Sequence, residues 1–516
     1  MKAITFSTNN LIIILIVLFS VVKISLVGRG FLAFPDENRY RETGVLLKNV
    51  SQGNITTAVA SVFETQGRPG DALLKLIPMV AQVASAHFFD REIYESDNAW
   101  PLFVYNYLIY IFLLIIHYRF SNLFLSSRRY SLLSVLVFSS LLISYISLRH
   151  ADPYDASLLL LYFVFYKMMR DSKLERTSNC KFLYLGFLAF FGYLCYPGYI
   201  LLFFSIPIVY FLRDWQYENV QKRIKNLFFY SLGSSICLLF FEILSRLVGQ
   251  SFVKSSMALS TTITQGSFEE CFSFFVKYLI EVEQFMGFLL LIGLLLFVGI
   301  GIFEYRKTKK IPPINCIFIV LFVLYFAYAA LGFWGHKVVF YARLVKQFIP
   351  FVVIILIVVL QKVVLFYKPN KRNKQFCLAA FLIVVFIQFV LVFVPYQRVV
   401  YPKDVAWEIY NKYHFCSYTN YFEYSKSWSE VPNLAIMKHK KPPKTNKKIL
   451  FVNVCSLYPF DDLQFYKAFQ LPKNYKLLVS HPSSLNFKAY QFEGYNIKAR
   501  KNLDSVGLKC MVLIEK

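Results

Sequence analysis

The chain alternates long apolar runs with short polar segments, most of them basic. Asn9 to Val27 is the first run, and Lys23 near its end is expected to snorkel to the interface. A polar loop from Gly28 to about Asn98 follows. Within it, Asp71 to Phe89 is apolar but interrupted by Lys75, Pro78 and Gln82, which predicts a segment lying along a membrane surface or re-entering it. Trp100–Tyr118, Ser131–Leu148 and Ala156–Met169 are the next three runs. Phe182–Leu212 as one helix would be roughly 46 Å long, against a hydrocarbon core of about 30 Å. The Tyr196-Pro197-Gly198 turn signal at its middle predicts two shorter helices. Leu227–Leu247, Phe285–Phe303, Ile314–Phe333, Leu344–Phe366 and Phe376–Val394 complete the series.

Charge orients these runs. Arg119, Arg128 and Arg129, the stretch from Lys167 to Lys181, Arg213 to Lys225, Arg306 to Lys310, and Lys368 to Lys374 all fall on one side if the chain crosses about eleven times. The positive-inside rule then puts the N-terminus in the cytoplasm and everything past Pro395 outside. The expected fold is a polytopic α-helical membrane protein over residues 1–395, with a first external loop at 28–98. A small extracytoplasmic α/β domain occupies 396–516. In that tail, a Lys/Pro-rich linker (Lys438 to Lys448) precedes short apolar runs at Ile449–Val454, Lys476–Ser480 and Met511–Ile514, separated by turn residues.

Composition narrows the class. The 516 residues are 57% hydrophobic and carry a formal charge of +26, which by itself could suggest nucleic acid. The excess sits instead between apolar runs and in the tail, where it suits anionic lipid headgroups or an anionic substrate. The nine cysteines are scattered without C-x-x-C or His spacing, so neither a zinc site nor a disulfide framework is expected. The N-terminal run has no small-residue cleavage site and reads as an uncleaved anchor, which places the protein in the cytoplasmic (inner) membrane.

Three groups of chemically active residues fall on the outer face. The first is Phe34-Pro35-Asp36-Glu37-Asn38-Arg39-Tyr40, where adjacent carboxylates meet the interface. The second is Arg149 to Asp155, with His150 and Asp152; Asp152-Pro153 with Asp155 equally makes an ordinary helix start. The third is His336 and Lys337 beside Trp334, then Arg343 and Lys346, residues that also serve as interfacial anchors. Tyr458 to Asp462 is either a sugar contact or an exposed turn, and Asn49 and Asn54 stand in glycosylation-type sequons. Gathered carboxylates and cations suit transfer of a sugar from a lipid phosphate: a carboxylate takes the acceptor proton while Arg and Lys hold the departing phosphate.

An acid pair after the first span and a second motif opening the fourth resemble the signature of the C-type (GT-C) membrane glycosyltransferases. The similarity is to the family-39-like enzymes, which include protein mannosyltransferases and the lipid A aminoarabinose transferase. It covers mainly residues 1–215, with an echo at Tyr341-Ala342-Arg343 to Pro350. The resemblance implies Asp36 as base, with Glu37 beside it. It also implies that Asp155 or Asp152 shapes the site and that Arg149 and Arg343 contact phosphate, while Arg39, His336 and Lys346 are further binding candidates. Where relatives often carry a Lys near the turn of the fifth and sixth spans, this chain has Tyr193, Tyr196 and Pro197. The implied substrates are a polyprenyl-phosphate-linked sugar and a lipid, glycan or protein acceptor; no nucleic acid is implied, and a divalent cation is left open. A transporter or flippase of lipid-linked glycans, a polysaccharide polymerase or ligase, and a non-catalytic envelope-assembly protein remain as alternatives.

Overall fold

A computed structural model describes residues 8–30, 37, 39–63, 68–89, 99–171, 178–213, 220–263, 272–336, 340–413, 418–420, 445, 447–452, 470–493 and 497–516. Among them, seven helices are long and apolar enough to cross a membrane. The first five are α1 (Thr8–Lys23, continued by a 3-10 turn to Leu26), α6 (Trp100–Ser121), α11 (Val220–Leu247), α14 (Gln284–Thr308) and α15 (Pro313–Phe333), and α17 (Ile349–Tyr367) and α18 (Lys371–Gln397) complete the set. Their outer faces are apolar, as lipid contact requires. On α6, Trp100, Val104, Leu108, Phe112 and Ile115 form an exposed stripe at helical spacing.

The other four expected crossings are shorter or charged. They are α7 (Arg128–Ser140), α8 (Tyr154–Asp171), α9 (Asn179–Cys195) and α10 (Ile200–Leu212). The turn at Pro197–Tyr199 divides the Phe182–Leu212 run into α9 and α10. The Ser131–Leu148 run is not one helix. It breaks at Leu141, where ψ is 136°, and continues as 3-10 turns at Leu142–Ser144 and Ile146–Arg149.

That break explains two buried ionisable side chains. A helix end leaves carbonyls without partners on one side and N–H groups without partners on the other. Lys23 donates to the Ser139 carbonyl and, at 2.7 Å, to the Tyr110 hydroxyl. Its Nζ also lies over the rings of Tyr145 (4.4 Å) and Tyr110 (4.8 Å). The expectation that Lys23 snorkels to the interface is therefore wrong: it is 0% exposed. On the other side of the break, Glu283 accepts the N–H groups of Leu142 and Ile143, both at 2.9 Å.

Between α1 and α6 the described residues form α2 (Arg39–Ser51), α3 (Ile55–Phe63), α4 (Pro69–Leu74) and α5 (Leu76–Phe88). After α11 come α12 (Phe252–Ile263) and α13 (Phe274–Val282), and the one-turn helix α16 (Ala342–Val345) precedes α17. Beyond α18, α19 (Pro402–Tyr413) leads to a sheet of β1 (Tyr418–Asn420), β2 (Ile449–Val452), β3 (Tyr475–Pro482) and β4 (Lys509–Glu515). The order is β1-β2-β4-β3, with β1 parallel to β2 and the other pairs antiparallel. Val405 and Ile409 of α19 pack on Ile449, Phe451, Val512 and Ile514 of this sheet. The tail is also welded to the helices: Tyr490 and Phe492 belong to the main apolar core, with Phe492 edge-on to Phe274 and Tyr278.

Candidate functional site

The second sequence motif follows the broken end of α7, so its backbone has no helix to hold it. Charged side chains from the first loop take over that task. Glu37 is 0% exposed, and its Oε1 accepts the Ala151 N–H at 2.7 Å. Lys75 donates to the Ala151 carbonyl at 2.7 Å and to Asp71 Oδ2 at 2.8 Å. One residue is thus gripped on both sides by opposite charges, and Asp152 is the next residue along. Charge-assisted hydrogen bonds of this kind are the strong ones.

His150 joins the grip to the tail. Its Nδ1 lies 3.1 Å from the Gly30 carbonyl, which only accepts, so Nδ1 carries the proton. Nε2 lies within hydrogen-bonding distance of the hydroxyls of Tyr401 (3.0 Å) and Tyr490 (3.2 Å). Glu37 Oε2 stands 3.5 Å from Nδ1. The His150 carbonyl takes the Asn106 amide at 2.7 Å.

Asp152 is half-buried, and its carboxyl is pushed up to about 7, first by burial and then by the negative charges of Glu37 and Glu493; His150 and Lys75 act the other way. A small cavity of about 10 Å³, the size of one water, opens beside it, lined by Tyr105, Asn106, Ile109, Ser147, Asp152 and Asp155, with Ala156. The Tyr105 hydroxyl there is buried and has no partner among the described residues.

Cations converge on the same place. Lys346 is buried and ion-paired with Asp155, and it donates to Ser147 Oγ at 3.1 Å. Arg343 donates from Nη1 to the Tyr154 hydroxyl at 2.7 Å and stacks over Tyr341 at 4.2 Å. Its Nε is 3.6 Å from Glu493 Oε2.

The arrangement brings Glu37, Asp152, Asp155, Arg343 and Lys346 together. Asp36, Lys337 and the Tyr458–Asp462 stretch lie outside the described residues. Arg39 opens α2 and is half-buried. His336 is exposed after α15 with φ 50°, and among the described residues no hydrogen bond or ion pair ties it to the cluster. Arg149 is buried away from solvent: Nη1 donates to the Tyr396 carbonyl at 2.7 Å and Nη2 to the Val399 carbonyl at 2.8 Å. Its guanidinium faces the rings of Tyr401 and Tyr396, so the geometry makes it a clamp on the end of α18. Among the described residues, no group of three or more His, Cys, Asp or Glu is placed to hold a metal ion.

No family model and no curated protein matches this chain. The site is therefore read from its own geometry. That geometry adds residues to which the sequence assigned no role: Asp71, Lys75, Tyr401, Tyr490 and Glu493. Asp71 and Lys75 left a signal, as charges one helical turn apart inside an apolar run. Glu493 left none.

Proposed function

We propose that this chain is an integral membrane glycosyltransferase of the GT-C kind. It would move a sugar from a polyprenyl-phosphate-linked donor to an envelope lipid, glycan or protein, inverting the anomeric carbon at the extracytoplasmic face, with about eleven crossings. The observation that carries the reading is a half-buried carboxylate, Asp152, sharing one small cavity with Asp155 and Ser147, both held by Lys346, while Arg343 reaches Tyr154 between them in the chain. A carboxylate that releases its proton near neutrality is matched to taking one from an acceptor hydroxyl. A guanidinium held at its edge suits a departing phosphate. Asp36, next to the gripped Glu37, is the other candidate base. The far end of α8 supports the orientation: Met169 there accepts Arg213, whose own carbonyl accepts Arg223, so the basic residues lie a helix length from the site.

Lys23, buried at a break in a neighbouring helix, favours a transporter of lipid-linked glycans as the second reading. Purified Asp36→Asn and Asp152→Asn proteins decide between them. Transfer requires that at least one loses on the order of 10²-fold or more in rate while remaining folded. Near-normal turnover in both would end the mechanism and leave the transporter reading. Mass spectrometry of envelope lipids and glycans from a deletion strain would name the sugar and acceptor.

A further inference from the structure

The two cations of the site sit on one turn of helix, and that turn is capped by the tail. In α16 the first N–H groups have no partner within so short a helix. The Ala342 N–H donates to the Phe492 carbonyl at 2.9 Å, and the Arg343 N–H donates to Glu493 Oε1 at 3.1 Å. Arg343 and Lys346 leave this turn in the direction of Tyr154 and Asp155 respectively. The same tail segment reaches the carboxylate half of the site, through the Tyr490 hydroxyl and His150. Phe492 is anchored between Phe274, Tyr278 and the Arg500 guanidinium, which lies 4.2 Å from its ring. Three residues of one short tail segment, Tyr490, Phe492 and Glu493, therefore touch both halves of the cluster, and Phe492 is itself fixed by the helices and the sheet region.

We infer that Glu493 is a positioning residue: by capping α16 it sets the aim of Arg343 at an anionic ligand, and the tail segment Tyr490–Glu493 is part of the site. That the ligand is the phosphate of a lipid donor rests on the function proposed above; the positioning itself does not. Glu493 combines two effects of opposite sign. Its charge competes with an incoming anion for the guanidinium, while its oxygen fixes the turn. Glutamine removes the first and keeps an oxygen that accepts the N–H; alanine removes both. The two variants therefore separate aim from charge.

The test uses the full chain in nanodiscs and compares binding of undecaprenyl phosphate with that of undecaprenol, which lacks the phosphate. Wild type should prefer the phosphate, and Arg343→Ala should abolish the preference. Glu493→Ala should weaken phosphate binding about tenfold, whereas Glu493→Gln should stay within about threefold of wild type. In the Arg343→Ala background Glu493→Ala should add almost nothing, which is the mark of residues acting through each other. A Glu493→Ala protein that melts earlier but keeps the full phosphate preference overturns the inference, as does additivity of the two substitutions or a wild type with no preference. Phosphate binding that follows this pattern in a protein without transfer activity would sink the glycosyltransferase reading and leave the positioning intact.

Discussion

Arg149 separates a phosphate ligand from a structural clamp, and the structure gives the size of the effect. Replacing it with alanine removes the donors to two carbonyls at the end of α18. The Tyr396 carbonyl keeps one partner, because the Val399 N–H donates to it at 3.1 Å. Among the described residues, no other hydrogen bond reaches the Val399 carbonyl. Each lost charge-assisted bond is worth roughly 1.5–3 kcal/mol, with Tyr396 at the low end because it retains a donor. Loss of the stacking on Tyr401 and Tyr396 adds about 1 kcal/mol. Arg149→Ala should therefore cost about 4–5.5 kcal/mol of stability, seen as a thermal midpoint lower by on the order of 5 °C or more in fluorescence-detected size exclusion. Arg149→Lys should fall between, since one ammonium cannot span both carbonyls with the guanidinium's geometry. The protein that survives purification should use donor with an unchanged KM. A variant with the wild-type midpoint and a raised donor KM would refute the clamp and restore Arg149 as a phosphate contact.

Asp152 holds its proton to about 7 in the fold, against about 3.9 in an unfolded chain. The folded state thus binds the proton more tightly, and the stability this contributes is present below about pH 4 and lost as pH rises to about 7; denaturation midpoints should fall across that window in wild type and less so in Asp152→Asn. If Asp152 is the base, the transfer rate should rise through about pH 7, and Glu37→Gln should move that rise to lower pH by removing a neighbouring negative charge; a profile that does not move would detach Glu37 from Asp152. Single cysteines at residues 29, 260 and 470 should all label from outside intact cells, and labelling at 470 only after permeabilisation would reverse the proposed orientation.

How much was legible in the residues follows from which forces act locally. Hydropathy by itself located the seven helices long and apolar enough to cross a membrane and the turn between α9 and α10, because a helix in lipid must satisfy its own backbone and show apolar residues to the bilayer. Alternation and turn residues likewise marked β2, β3 and β4 within a residue or two. The residues placed Asp152, Asp155, Arg343 and Lys346 among the candidates for one face, and in the structure Lys346 pairs with Asp155 while Arg343 reaches Tyr154. What sequence spacing could not show is what each charge does there. Arg149 and Arg343 have the same side chain, yet one caps carbonyls at the end of α18 and the other meets Tyr154 and Glu493 at the site. Lys23 and Glu283 are far apart in the chain but serve the two sides of one helix break. Their roles depend on which unsatisfied backbone groups the packing brings within reach. That is a property of tertiary contacts and leaves no periodicity to read, which is why Glu493 emerged only once the tail was seen against α16.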